Sequence, residues 1–314
     1  MTAGDPSIRT RHIGLDLGAT NLKWAALERT GDAWEVLERG QVPTDAAAGA
    51  DAVIARMSAL AADARATWPG IDSVGVGVPG LYDDGAGAAT FLPNLPPDWA
   101  GRAVTGPMRE ALGLPVRLIN DARAFGLAEL RLGAGRGCDT MVGLVLGTGV
   151  GGVVVVGGQV HFGHDGTGGE LGHQTILPDG PACTCGNRGC LESLAKAQAV
   201  AEACGTETAE EAVSAARAGD SRAIDGIAEI GRWLGIGIAN LIVVLTPDRV
   251  VLGGGVAGAG DLLLDPVRAE VARRVHVTSL DAVEIVSAEL GTWAGAIGAG
   301  IHGAQPASVP AVPS

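Results

Sequence analysis

The pentapeptide Gly14-Leu15-Asp16-Leu17-Gly18 returns 129 residues later as Gly143-Leu144-Val145-Leu146-Gly147, identical at four of five positions. Each copy is an apolar run closed by glycine, the pattern of a buried strand entering a tight turn. A second apolar run follows each copy: Leu22 to Leu27 after Ala19-Thr20-Asn21, and one ending in Val153 to Val156 after Thr148-Gly149. Both read as hairpins. A strand motif that opens each half of a 314-residue chain points to duplication, and therefore to two similar domains. Glycine hairpins facing one cleft from two such domains would hold a phosphate chain from both sides.

The remaining pattern alternates. Ala52 to Ala66 has helical spacing, Ser73 to Val78 is a strand ending at Pro79-Gly80, and Val116 to Ile119 is a strand ending at Asn120-Asp121, with a helix from Ala122 to Arg131. Glu192 to Cys204 and Thr208 to Ala218 read as helices. Ser221 to Leu245 is a long helix carrying Ile224, Ile227, Leu234, Ile238 and Leu241 and stopped by Pro247. Arg249 to Leu252 is a strand running into Gly253-Gly254-Gly255, and Trp293 to His302 a helix of small residues. Strands alternating with helices indicate an α/β fold. The expected division is an N-terminal α/β lobe over 1–121, completed by the C-terminal helix near 291–303. A C-terminal lobe covers 122–290 and holds a cysteine loop at 173–190, and a disordered tail covers 304–314.

Composition narrows the partners. Apolar residues make up 47% of the chain, enough for a sizeable core, and the formal net charge is −13. Phosphate-backbone binding needs a basic surface, so nucleic acid is not expected as a partner. No wholly apolar, uncharged run reaches 18 residues, so no membrane span is expected, and the polar start has no apolar signal-peptide centre. The chain reads as cytoplasmic. Clustered cysteines in that reducing setting are metal ligands more often than disulfides.

One cluster stands out. His173, Cys183, Cys185 and Cys190 lie within 18 residues, with Gly186 and Gly189 to let the loop curl. Cys₃His is a closed tetrahedral zinc set, which makes the expected Zn²⁺ structural. A loop of free or disulfide-bonded cysteines is the alternative. Cys138 and Cys204 stand alone and read as buried small hydrophobes. Asp121, between a strand and a helix, is either a carboxylate that accepts a hydroxyl proton or the cap of its helix, and the dipeptide alone favours the cap. The turns at Asp16 to Asn21 and Gly147 to Gly149 offer backbone N–H groups for an anion, or are plain hairpins. Neither is a Walker A loop. Asp16 either holds Mg²⁺ through water or bonds its own turn. Glu170 and Glu192 flank the cysteine set, as polyol ligands or as surface charges. Asn94 is an amide ligand or a turn residue.

Taken in order, these motifs resemble the ROK family of bacterial sugar kinases and repressors, especially its glucokinases, from about Ile13 to Gly303. The residues that carry the resemblance are Leu15 to Asn21, Gly77-Val78-Pro79-Gly80, Pro93-Asn94-Leu95 with Trp99, and Asn120-Asp121-Ala122. Gly147 to Gly152, Gly169 to His173, Cys183 to Glu192 and Gly253 to Gly255 complete the set. The resemblance implies a two-lobed actin-like, hexokinase (ribonuclease H-like) fold with a duplicated domain and a central cleft. It implies Asp121 as the base for the sugar 6-hydroxyl, reversing the preference for a cap. Gly80, Asn94, Asn120, Glu170, His173 and Glu192 would bind the sugar, His173 with one ring nitrogen on zinc and the other toward the sugar. Asp16, Gly18, Thr20, Asn21, Lys23, Thr148, Gly149 and Gly254 would surround MgATP. The family has a second asparagine in many members where this chain has Arg123, which would point to solvent or touch Glu129 or a phosphate.

The implied reaction is ATP-dependent phosphorylation of a hexose, glucose first, by a homodimer or homotetramer. Other hexoses and N-acetylated amino sugars are the alternatives. A sugar-responsive repressor is the rival from another class. Such repressors carry a DNA-binding domain before the first phosphate motif, and 12 residues precede Ile13 here. The acidic balance also weighs against it.

Overall fold

The structure is a computed structural model that describes residues 8–164 and 166–305. From residue 306 on, the tail expected over 304–314 lies outside the described residues. The chain divides into two compact units, Met1–Arg131 with Thr292–Ser314, and Leu132–Gly291.

In the first unit, β1 (Arg9–Leu17), β2 (Asn21–Thr30) and β3 (Ala33–Pro43) form an antiparallel meander. Helix α1 (Ala50–Thr67) leads to β4 (Ile71–Val78), which runs parallel to β1. A small sheet follows, made of β5 (Leu81–Asp83), β6 (Ala88–Phe91) and β7 (Arg102–Ala103). Helix α2 (Thr105–Leu112) then leads to β8 (Val116–Asn120), parallel to β4, and α3 (Asp121–Leu132) starts at once. The sheet order is β3-β2-β1-β4-β8.

The second unit repeats this plan. Strands β9 (Met141–Leu146), β10 (Val150–Val156) and β11 (Gln159–Val160) form the meander. Helices α4 (Leu191–Ala195), α5 (Ala197–Cys204), α6 (Ala209–Arg217) and α7 (Ser221–Leu245) precede β12 (Arg249–Gly253), parallel to β9. Helix α8 (Asp261–Arg274) then leads to β13 (Glu284–Ser287), parallel to β12, giving the order β11-β10-β9-β12-β13. The two sheets share one topology, and the repeated pentapeptide sits on the third strand of each. The last helix, α9 (Ala294–Gly303), returns to the first unit.

Two packing solutions position these sheets. Helix α9 lies flush on β1 and β4 because both surfaces lack side chains. A Cβ on Gly14 would overlap the Ala296 carbonyl, and one on Gly75 the Ala299 carbonyl. The core beside it gathers Ile13, Leu15 and Val76 with Met57 of α1 and Met108 of α2. In the second unit α7 is the spine. Its Ile227, Ile230, Leu234, Ile238 and Ile242 recur at helical spacing and are buried against Leu144, Leu252, Leu263 and Val267. By length and composition α7 could cross a membrane, yet half of its apolar window is buried inside this unit, as in the core helix of a globular domain.

The helix expected from Glu192 to Cys204 is two helices. Lys196 is extended (φ −67°, ψ 162°), and this break lets the Ala197 N–H reach the Gly147 carbonyl at 2.8 Å. Strand β3, the small sheet, α2, α8 and β13 carried no sequence signal strong enough to be expected. Strand β3 is largely solvent-facing, and α8 contains Pro266.

Candidate functional site

In the first unit the carboxyl ends of the parallel strands carry the candidate residues, where open α/β sheets bind ligands. Asn120 ends β8 and is buried. Its Nδ2 donates to the Gly80 carbonyl at 3.1 Å, and its Oδ1 accepts the N–H groups of Ala122 at 3.0 Å and Arg123 at 3.2 Å. These are donors that the first turn of a helix leaves unpaired, so Asn120 caps α3. Asp121, half-buried, accepts the N–H of its neighbour Ala122 through Oδ1 at 2.8 Å. The cap suspected at Asp121 therefore falls mainly to Asn120. Gly80 has φ 134°, and a Cβ there would overlap the Phe91 carbonyl. Asn94 is exposed in the turn closed by Leu95 N–H donating to the Leu92 carbonyl at 3.2 Å. Trp99 anchors this loop in the core, while Asp98 accepts the Ala50 N–H at 2.7 Å and so caps α1, a role no local pattern announced.

Arg123 is 1% exposed, which removes the expected solvent orientation. It lies near enough to Tyr82 to oppose a rise of that phenol to about 12, a rise caused first by burial and then by Asp84.

Asp16 sits on β1 opposite Lys23 on β2. Two glycines make room for its carboxylate: a Cβ on Gly295 would come within 2.7 Å of Oδ2, and one on Gly77 within 3.6 Å of Oδ1. Burial pushes Asp16 up to about 6, against the pull of Lys23. The following turn is closed by Gly18 N–H donating to the Asn21 carbonyl at 3.1 Å. The Thr44 hydroxyl donates to the Gly18 carbonyl at 2.7 Å, and the Thr44 N–H to the Thr20 carbonyl at 2.9 Å. Gly18 is thus spent on holding the turn, while Ala19 and Thr20 are exposed at its tip and Asn21 is half-buried.

In the second unit the equivalent turn, Gly147-Thr148-Gly149, is closed by Gly147 N–H donating to the Gly149 carbonyl at 2.9 Å, with Thr148 exposed. The Val150 N–H donates to Glu192 Oε2 at 3.1 Å, and a Cβ on Gly149 would stand 2.5 Å from that oxygen. Gly254, at φ 88° and exposed, folds the turn after β12 onto the end of β9, where a Cβ would overlap the Leu146 carbonyl.

The ligand atoms of His173, Cys183, Cys185 and Cys190 all lie within 4.8 Å of one another. Cys185 and Cys190 sulfurs are 3.7 Å apart, and Cys183 Sγ is 3.6 Å from His173 Nδ1. Zinc at its usual bond lengths gives tetrahedral edges of about 3.8 Å for S···S and about 3.6 Å for S···N. The donor set and its spacing therefore fit zinc. The loop is folded by Cys183 N–H donating to the Asn187 carbonyl at 2.8 Å and Gly189 N–H to the Pro181 carbonyl at 2.8 Å. Burial, followed by the adjoining Cys185 and Cys183, pushes the Cys190 thiol up to about 12. Backbone N–H donation at Asn187, then Cys183, lowers the exposed Cys185. His173 turns Nδ1 to the cysteines. It shares the turn Leu171–His173 with exposed Glu170, whose carbonyl accepts the His173 N–H at 3.1 Å. Glu192 Oε1 lies 3.8 Å from Cys183 Sγ, so one carboxylate joins the cysteine set to the glycine turn.

Comparison with known proteins gives the family. The model of the ROK family matches residues 12–303. A glucokinase of Halalkalibacterium halodurans is 34% identical, covering 92% of this chain and 93% of its own length. The crystal structure of a ROK hexokinase from Thermus thermophilus has a TM-score of 0.80 at 35% identity, covering 94% of this chain and 98% of that one. A ROK glucokinase from Streptomyces griseus, in complex with glucose and AMPPNP, has a TM-score of 0.78 at 30% identity, covering 93% and 99%. The fold is the two-lobed, actin-like α/β fold of these sugar kinases. With residues 12–303 matched by the family model, this chain belongs to the ROK family.

Proposed function

We propose that this protein is an ATP-dependent sugar kinase that phosphorylates a hexose, with glucose as the first substrate to test. The observation that carries the reading is similarity over more than nine tenths of the chain to a glucokinase, and to a glucokinase structure holding glucose and AMPPNP. Phosphoryl transfer asks a protein for positioning and charge stabilisation rather than covalent chemistry.

In the first unit Asp121 is the base. Its place at the start of α3, directly after the carboxyl end of β8, supports this role. Asn120 in turn fixes Gly80, leaving one amide hydrogen for a sugar hydroxyl, and exposed Asn94 supplies a further amide. Asp16, with Lys23 opposite, would hold Mg²⁺ through water, and the tip at Thr20 and Asn21 would meet phosphate oxygens. In the second unit Thr148, Gly149 and Gly254 serve the nucleotide, and Glu170, His173 Nε2 and Glu192 serve sugar hydroxyls. His173, Cys183, Cys185 and Cys190 would hold zinc, which supplies rigidity to the loop that bears His173. A zinc-bound cysteine is a thiolate with no proton to donate, so Glu192 Oε1 would then be open to a hydroxyl. The chain functions in the cytoplasm as a homodimer or homotetramer, without nucleic acid.

The test is ADP release with a panel of hexoses and N-acetylated amino sugars, with inorganic polyphosphate as an alternative donor. Glucose is expected to give the highest kcat/KM, and Asp121→Asn to lower kcat on the order of 10²–10⁴-fold. Undiminished turnover in that variant removes Asp121 as the base.

A further inference from the structure

The β9–β10 turn is gripped from two sides by one short stretch of chain. The Val150 N–H donates to Glu192 Oε2 at 3.1 Å, and the Ala197 N–H donates to the Gly147 carbonyl at 2.8 Å. Glu192 lies in α4, and Ala197 opens α5 just past the extended Lys196. Both bonds are thus made by the segment that directly follows Cys190, one as acceptor and one as donor, and the Cys190 φ of −61° and ψ of 148° start α4. A five-residue helix has little stability of its own. It is fixed by its neighbours: Cys190, Leu191 and Ala195 are fully buried, and the Cys190 carbonyl accepts the Ser193 hydroxyl at 2.7 Å.

The glycine at 149 belongs to the same contact. A Cβ there would stand 2.5 Å from Glu192 Oε2 and 3.3 Å from the carboxyl carbon. Gly149 has no positive φ, so its conformation does not require glycine. What requires glycine is the carboxylate. A charged acceptor on a backbone N–H is among the stronger hydrogen bonds a protein makes, and here half-buried Glu192 spends it on the orientation of one turn.

We infer that Glu192 is a positioning residue for the nucleotide: by holding the Val150 N–H it sets the shape of the Gly147–Gly149 turn and hence its grip on phosphate oxygens. The family resemblance gives Glu192 to the sugar. The geometry gives one of its two oxygens to the turn, so loss of Glu192 weakens nucleotide binding even with no sugar present. The inference rests on the kinase reading of this turn.

The experiment is calorimetric titration of MgADP into zinc-loaded protein, without sugar, for wild type, Glu192→Ala, Glu192→Gln, Gly149→Ala and the Gly149→Ala/Glu192→Ala pair. Zinc content and Tm are measured for each. Glu192→Ala is expected to weaken MgADP about tenfold or more, the loss of one charge-assisted hydrogen bond. Glu192→Gln keeps an oxygen acceptor and is expected to recover most of the affinity. Gly149→Ala displaces the carboxylate and is expected to weaken MgADP similarly. The pair should be no weaker than the worse single variant, since both remove one contact. If Glu192→Ala fails to fold, Gly149→Ala and Glu192→Gln decide the matter by the same comparison. MgADP affinity unchanged in Gly149→Ala and Glu192→Ala, with only glucose affinity lost, overturns the inference and leaves the kinase reading standing. A wild-type protein that binds no MgADP overturns both.

Discussion

At the scale of single residues, Asn120 accepts two first-turn N–H groups of α3, a capping role that the dipeptide alone favoured at Asp121. Asn120 is an amide, with both donor and acceptor, so it can hold Gly80 and cap α3 at once; a carboxylate could not donate to the Gly80 carbonyl. Asn120→Ala is therefore expected to lower stability by about 1–3 kcal/mol in urea denaturation, because it removes a cap and leaves buried backbone groups without partners. Asn120→Asp should restore the cap and not the Gly80 bond. Two buried histidines set a pH dependence. Burial pushes His12 down to about 4, with Asp72 opposing and Arg29 adding. Burial, then Arg117, pushes His302 down to about 3. Their folded-state values lie below the ordinary 6.5, so the unfolded chain takes up these protons first as pH falls. Stability from them is whole above about pH 6.5 and declines toward pH 4, with a slope of about 1.4 kcal/mol per pH unit for each histidine. His12→Asn should remove one such slope from the pH profile of Tm. A profile identical to wild type rules out His12 as a contributor.

At the scale of elements, small residues decide where helices can lie. Gly→Ala in an open helical site stabilises by about 0.5–1 kcal/mol. Gly106 in α2 is such a site, with no atom within 4 Å of a new Cβ. Gly14→Ala should do the opposite and cost about 1–3 kcal/mol, since its Cβ meets the backbone of α9 and α9 has no flexible side chain to yield. Opposite signs of the two Tm changes are the expected result; matching signs mean that α9 is not seated as described. Helices with a strong apolar stripe, such as α7, were legible from spacing to their ends. Two kinds of element were not. Strands β3 and β13 are short of buried apolar residues, so their pairing comes from neighbouring strands rather than from their own pattern. The break at Lys196 has no proline or glycine to announce it, because it is imposed by the Gly147 carbonyl on the Ala197 N–H.

At the scale of the whole molecule, one sheet plan occurs twice, and the Cys₃His loop belongs to the second occurrence. A site of four ligands that also folds its own loop contributes folding free energy through the metal. Cys185→Ser is expected to abolish stoichiometric zinc, lower Tm and weaken hexose binding together, read by metal analysis, calorimetry and sugar titration. Hexose affinity intact in a zinc-free preparation would sever the metal from the sugar site. The sequence by itself determined the duplication, the strand-turn motifs, the spine helix and the four residues of the Cys₃His set, because each rests on residues close together in the chain or on their period. Only the tertiary structure decided that Asn120 holds Gly80 while it caps α3, that Arg123 is buried, and that Glu192 reaches the β9–β10 turn. The bond that fixes the Asn120 amide on Gly80 spans 40 residues, and that of Glu192 with Val150 spans 42. A local pattern names the chemistry a side chain can do, and the packing of distant segments selects which of its hydrogen bonds is made.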